Sequence, residues 1–147
     1  MKKSYLQKLS MMVITSCISL SLLCSCNASK KIAYYSQIGG YISVSGTVSN
    51  VKYNEDTTAL YIDLSELSPV LDDTCFKIIG ENLNVVRANS IDNKLKIGEQ
   101  ITIITAPKYF GDGYVMPIVA ISIGDEKFLE FEEGYKNLLD WLSESNN

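Results

Sequence analysis

The chain has 147 residues, with 17 acids against 13 bases and no histidine. The missing imidazole removes Ser-His-Asp and Cys-His catalysis and the commonest metal ligand. The acidic balance is wrong for a nucleic-acid partner, whose phosphates require a basic patch. Neither a metal nor a cofactor is expected.

Lys2, Lys3 and Lys8 open the chain without an acid among them, and an apolar stretch thinned by serines follows over 9–23. It falls short of the roughly 20 mostly apolar residues of a spanning helix. Positive start, short apolar middle and small residues together read as an export signal. Its end, Leu23-Cys24-Ser25-Cys26, resembles the lipobox of bacterial lipoproteins, with Cys24 standing where Ala, Ser, Thr or Val is usual. The resemblance implies a diacylglyceryl group on the Cys26 sulfur, cleavage before Cys26 and acylation of the new amino terminus. Ile14-Thr15-Ser16-Cys17 has the same form, but cleavage there would leave the apolar 18–23 on the mature protein. At about 0.8 kcal/mol per buried methylene, two or three acyl chains hold firmly. The expected location is therefore a cell membrane, with the domain lipid-anchored and facing the periplasm or the exterior.

Removal of residues 1–25 takes three of the 13 bases with it, so 10 bases face 17 acids on the mature chain, a net charge of −7. That leaves one domain's length, divided as a lipidated tether over 26–40 and a folded domain over 41–147. Tyr34 and Tyr35 are expected to pack on the domain. Gly39-Gly40 breaks the chain before the first strand.

The stretch 41–51 alternates apolar and small polar residues. Ile42, Val44 and Val48 point one way and Ser43, Ser45, Thr47 and Ser49 the other. Gly46 interrupts the apolar row and marks a bulge or bend, so this strand is expected to serve two sheets. A polar turn follows over 52–57, then a second strand over 58–64, a loop over 65–73 and a third strand over 74–80. Cys75 fits a small buried side chain better than a nucleophile. Asp72 and Asp73 lack the spaced oxygen ligands of a cation loop. A helical turn through Leu83, Val86 and Arg87 leads to a fourth strand ending at Thr105, a glycine-rich aromatic loop over 107–114 and a fifth strand over 114–123. Pro117 must lie at an edge or a bulge. Phe128, Leu129 and Phe131 add a short strand or packing segment. Tyr135, Leu138, Leu139 and Leu142 then give a helix over 134–143.

This order reads as all-β, a five-stranded Greek-key barrel of OB-fold type with a short C-terminal helix, behind a lipoprotein signal peptide. Val44-Ser45-Gly46-Thr47-Val48, the strand 60–64, Cys75-Phe76 and the run 95–103 resemble the exported bacterial OB-fold proteins of the tRNA-anticodon-like type. The similarity covers roughly 41–123. It implies a shape and no tRNA binding outside the cytoplasm. An SH3-like barrel is the alternative fold.

OB-folds usually meet ligands on strands two and three, framed by the loops after strands one and four. That places Tyr53 and Asp56, Tyr61, and Tyr109, Phe110, Asp112 and Tyr114 at a ligand surface suited to a sugar, a peptide or a basic partner. Tyr109, Phe110 and Tyr114 equally suit a cap on the barrel end. The expected function is an envelope binding module and not an enzyme. A structural or assembly protein that docks through Glu130, Glu132 and Glu133 is the alternative. Arg87 and Asp92 echo the spacing in staphylococcal-type nucleases, but Leu95 stands where a catalytic Glu belongs and Arg87 is the sole arginine.

Overall fold

The computed structural model describes residues 29–107 and 115–144. A helix, α1, covers 29–35. The strands are β1 (Ile42–Asn54), β2 (Ala59–Ser68), β3 (Cys75–Ile79), β4 (Gln100–Thr105), β5 (Val115–Ile123) and β6 (Glu126–Leu129). Helix α2 (Glu81–Ala88) follows β3, and α3 (Phe131–Glu144) ends the described chain. The protein is mostly β. One sheet runs in the order β3-β2-β1-β4-β5-β6 with antiparallel neighbours, and β3 also pairs in parallel with β5 through Cys75–Val115, Phe76–Met116 and Lys77–Pro117.

The sequence-based count of five strands is corrected to six. Gly124 adopts φ +57° in the turn after β5, and β6 folds back onto β5, pairing from Ile123–Glu126 to Ile121–Leu129 with one irregularity between Ser122 and Ile121. The expected loop over 65–73 begins only after Ser68, because β1 continues past its glycine and keeps β2 paired as far as Ser45–Ser68. The expected helical turn after β3 is a full eight-residue helix.

β1 is shared, as its pattern suggests. It pairs with β4 over Ile42–Thr47 and with β2 over Ser45–Asn54. Two irregularities interrupt the β2 side. At the first, Ser45 faces Ser68 while Thr47 faces Ser65. Gly46 lies between them with an ordinary φ, so its requirement is space. A Cβ there would stand 3.0 Å from Leu67 Cδ2 and 3.1 Å from the Ser65 carbonyl oxygen. At the second, Val48 faces Leu64 and Asn50 faces Asp63, so Ser49 is an extra residue. The extra residue reverses the alternation beyond it. Val44 and Val48 point into the core before it; Val51 and Tyr53 share the face of buried Ile62 and Leu60 after it.

The inner apolar cluster joins Val44, Val48, Ile62, Phe76, Ile103 and Ile118, with Leu83 and Val86 of α2 packed into it. A second cluster lies on the other side of the sheet. There Ala59, Ile79 and Val119 meet Tyr35 of α1 and Leu138 and Leu142 of α3. Tyr35 is thus a core residue packed on the domain. Burial of side chains the size of Leu138 and Leu142 contributes on the order of 1.5–3 kcal/mol each.

Pro117 and its neighbours explain where α3 sits. β4 and β5 slip between Ile104–Ala120 and Thr105–Ile118, leaving Val119 as the extra residue of a bulge two places beyond the proline. The Thr105 hydroxyl donates to the Pro117 carbonyl at 2.7 Å. The Val119 carbonyl is turned toward α3, and a Cβ on Gly134 would collide with it. Asn82 of α2 donates from Nδ2 to the Gly134 carbonyl at 2.9 Å, tying the helices together.

Gly134→Ala raises helix propensity by about 1 kcal/mol, yet it is expected to destabilise by about 1–3 kcal/mol, the range for overpacking. Gly46→Val is expected to cost a similar ~1–3 kcal/mol by the same crowding. Urea denaturation of both variants checks this, and a Gly134→Ala protein more stable than the parent contradicts the close seating of α3 on β5.

Candidate functional site

Of the residues singled out from sequence that are described, Tyr53 and Tyr61 stand on opposite faces of the sheet. Tyr53 lies opposite Leu60 and so stands on the core side of the sheet, with the Arg87 guanidinium 4.3 Å above its ring centroid. Arg87 Nε is also 3.8 Å from Asp92 Oδ2. The Arg–Asp spacing that echoes a nuclease is therefore an exposed ion pair between α2 and the turn that follows it, while the Arg87–Tyr53 contact joins α2 to β1. Tyr61 faces Lys52 and Lys77 across the strands and projects to the opposite side, where its ring borders the second cluster. The expectation of a shared Tyr53–Tyr61 surface is corrected, and the cause is the extra residue Ser49, which exchanges the faces of β1 beyond it.

Asp56 is exposed in the turn after β1, where Asn54 Oδ1 accepts the amides of Asp56 at 3.0 Å and Thr57 at 3.2 Å. The Asp56 backbone thus closes an Asx-type turn. Tyr61 is the nearer neighbour of this turn, its hydroxyl lying 3.5 Å from Thr57 Oγ1. Tyr109, Phe110, Asp112 and Tyr114 lie outside the described residues, as does Cys26.

The outer face of β2 and β3, where an OB-fold would be expected to bind, is largely covered by the protein's own helices. Lys77, Ile79 and Pro117 sit beneath Leu138, Trp141 and α1, around a cavity of only about 20 Å³, which holds about one water. An aromatic clasp holds this cover in place. The Tyr41 hydroxyl donates to the Tyr35 carbonyl and the Tyr135 hydroxyl to the Ser36 carbonyl, both at 2.9 Å. Tyr41 also meets Phe131 and Tyr135 edge-on, each with ring centroids 5.6 Å apart. Burial, then the neighbouring Tyr135 and Tyr34, push the Tyr41 phenol well above its ordinary range.

Where the same outer face passes on to β1, β4, β5 and β6 it is open and carries a row of hydroxyls. Ser45, Thr102, Ser122 and Lys127 are successive cross-strand partners over β1, β4, β5 and β6. Ser45 Oγ and Thr102 Oγ1 are 3.0 Å apart. Beside this row, Ser43, Ile104 and Ala120 form a second one. Where the rows meet Phe131 there is a cleft of about 170 Å³, rimmed by Lys127 and Glu130. Lys127 Nζ donates to both Glu130 carboxylate oxygens, at 2.9 and 3.1 Å. The alternation of Ser43 and Ser45 was legible in the sequence as an outward polar face. Ser122, Lys127 and Phe131 carried no such signal, because only the β4–β5–β6 register brings them alongside.

Cys75 lies half-buried at the start of β3. Burial first, and then its hydrogen bond to Asp63, push the thiol up to about 12. It is therefore protonated at neutral pH and a poor nucleophile. Among the described residues no group of His, Cys, Asp and Glu is arranged to hold a metal ion. No family model matches the chain, and no curated protein matches it significantly.

The Cys75 shift sets the alkaline behaviour. A thiol whose folded pKa is raised from 9.0 to about 12 contributes stability that is full below pH 9 and is lost as pH rises toward 12. The raised Tyr41 phenol acts in the same direction. The melting temperature is expected to fall across that window, with a shallower fall in Cys75→Ser. Peptide mapping after iodoacetamide at neutral pH should find Cys75 alkylated slowly in native protein and rapidly in urea. Equal rates contradict the assignment.

Proposed function

We propose that this chain is an exported lipoprotein whose OB-fold-like domain is a binding module at the cell envelope. In this reading residues 1–25 are the signal peptide and Cys26 carries the lipid. The packed domain follows within a few residues of the anchor. The positive start, the short apolar stretch and the position of Cys26 support the anchor. No helix among the described residues is long and apolar enough to cross a membrane.

The barrel reading is supported by the strand order together with the parallel β3–β5 pairing. Pairing of the third strand with the fifth would join the two margins of the β3-β2-β1-β4-β5 segment and make it a closed Greek-key barrel of OB-fold type. Helix α2 lies between the third and fourth strands, and β6 and α3 are additions at the end.

The observation that carries the binding reading is the contrast between two parts of the outer sheet surface. The β2–β3 face is filled by α1 and α3, whereas the β1-β4-β5-β6 face keeps hydroxyls and a cleft in contact with solvent. A domain serving as a passive spacer has no need of that asymmetry. A non-enzymatic role is supported by the absence of histidine and by the protonated state of Cys75.

Intact-mass analysis of the membrane fraction tests the anchor. The expected product begins at Cys26 and carries acyl chains, and Cys26→Ala is expected to accumulate unprocessed or be released. A processed, lipid-free terminus at Asn27 or Ala28 in the parent protein contradicts the proposal.

A further inference from the structure

We propose that the cleft between the open sheet face and the start of α3 is a subsite for one ring of a neutral carbohydrate. This deepens the binding-module reading and rests on it. Three kinds of surface meet in this cleft. Ser43, Thr102 and Ser122 present hydroxyls, Ile104 and Ala120 provide an apolar floor, and Phe131 supplies an aromatic wall.

The hydroxyls have hydrogen-bonding capacity to spare. A hydroxyl offers one donor and two acceptor positions. Thr102 uses part of its capacity on Ser45 at 3.0 Å. Ser43 and Ser122 have no side-chain partner among the described residues. Three groups that can each give and accept, spaced by the sheet at about 4.8 Å between strands, match a ligand that carries hydroxyls around its edge.

The aromatic wall is pre-set. Phe131 stacks on Tyr135 at 5.7 Å with an interplanar angle of 24° and is braced edge-on by Tyr41. A ring held this way loses little freedom on binding. It offers an apolar surface to the C–H face of a sugar, as aromatic side chains do for flat apolar groups with polar edges.

Charge and size narrow the ligand further. Lys127 and Glu130 neutralise each other at the rim, so a phosphate would meet the Glu130 carboxylate and a cation would meet Lys127. A purely apolar ligand would strip the three hydroxyls of water and return no hydrogen bond. The volume of about 170 Å³ is close to the roughly 150 Å³ cavity that encloses a single six-membered ring. It is well below the ~300 Å³ at which pockets for larger ligands begin. A neutral, hydroxyl-edged ring of six atoms satisfies all of these conditions.

The test is amide-resolved NMR titration of the full chain, held in a detergent without a sugar head group. The probes are methyl β-D-glucopyranoside, methyl α-D-mannopyranoside and N-acetyl-D-glucosamine. At least one is expected to give saturable shifts, at millimolar concentration, centred on Thr102, Ser122, Lys127 and Phe131. Thr102→Val combined with Ser122→Val removes two hydroxyls at strand positions that favour branched residues. It should keep the parent melting temperature and weaken binding by about tenfold or more. Phe131→Leu gives a second, independent loss at the apolar wall.

Absence of saturable shifts with all three probes overturns the proposal, as does unchanged affinity in the double variant. Shifts centred on the β1–β2 turn overturn it too, while leaving the domain a binding module. Shifts at the cleft in a parent protein that proves lipid-free support it and remove only the envelope location.

Discussion

The carbonyl of Val119 lies against Gly134, and the distribution of surfaces on this protein follows from that contact. Val119 is the surplus residue of a bulge where β4 and β5 slip past one another beside Pro117. The bulge turns its backbone outward, and only a residue without a side chain can approach so closely. Once Gly134 is seated, helical periodicity brings Leu138 and Leu142 down onto the same face four and eight residues later. Trp141 then settles against Gly80, whose positive φ of +58° starts the chain into α2. Its Cδ1 leaves no room for a Cβ there, since one would stand 2.8 Å away.

With α3 fixed, α1 has a surface to join. Tyr35 becomes a core residue between the two ends of the described chain, and the phenols of Tyr41 and Tyr135 tie its backbone down. This arrangement covers the β2–β3 part of the outer face. The start of α3, carrying Phe131, borders the open part of that face and forms one wall of the hydroxyl-lined cleft. A single helix thus closes one part of the face and shapes the other.

Much of the fold was legible in the sequence. The period-two pattern over 41–51, the break at Gly46 and the apolar rows of the second to fourth strands have their counterparts in β1 to β4. The row Leu138, Leu142 is the buried stripe of α3. Three things escaped, each for a physical reason. The reversal at Ser49 has no composition signal, since a serine suits a regular strand as well as a bulge. That one residue moved Tyr53 to the core side and separated it from Tyr61. The seating of α3 depends on a backbone carbonyl meeting a glycine far away in sequence, which no local pattern reveals. The cleft needs the registers of four strands at once, so only its β1 edge, Ser43 and Ser45, could be read from alternation.

Hydroxyl-radical footprinting of the native protein measures the central claim directly: α1 and α3 cover the β2–β3 side and leave Phe131 and the hydroxyl face to solvent. Tyr35, Leu138 and Leu142 should resist oxidation as strongly as Met116, a core residue of β5. Tyr53 and Phe131 should be modified readily. Oxidation of Tyr35 and Leu138 at the rate of Tyr53 would contradict the account, because the helices would then stand away from the sheet and the whole outer face would be open.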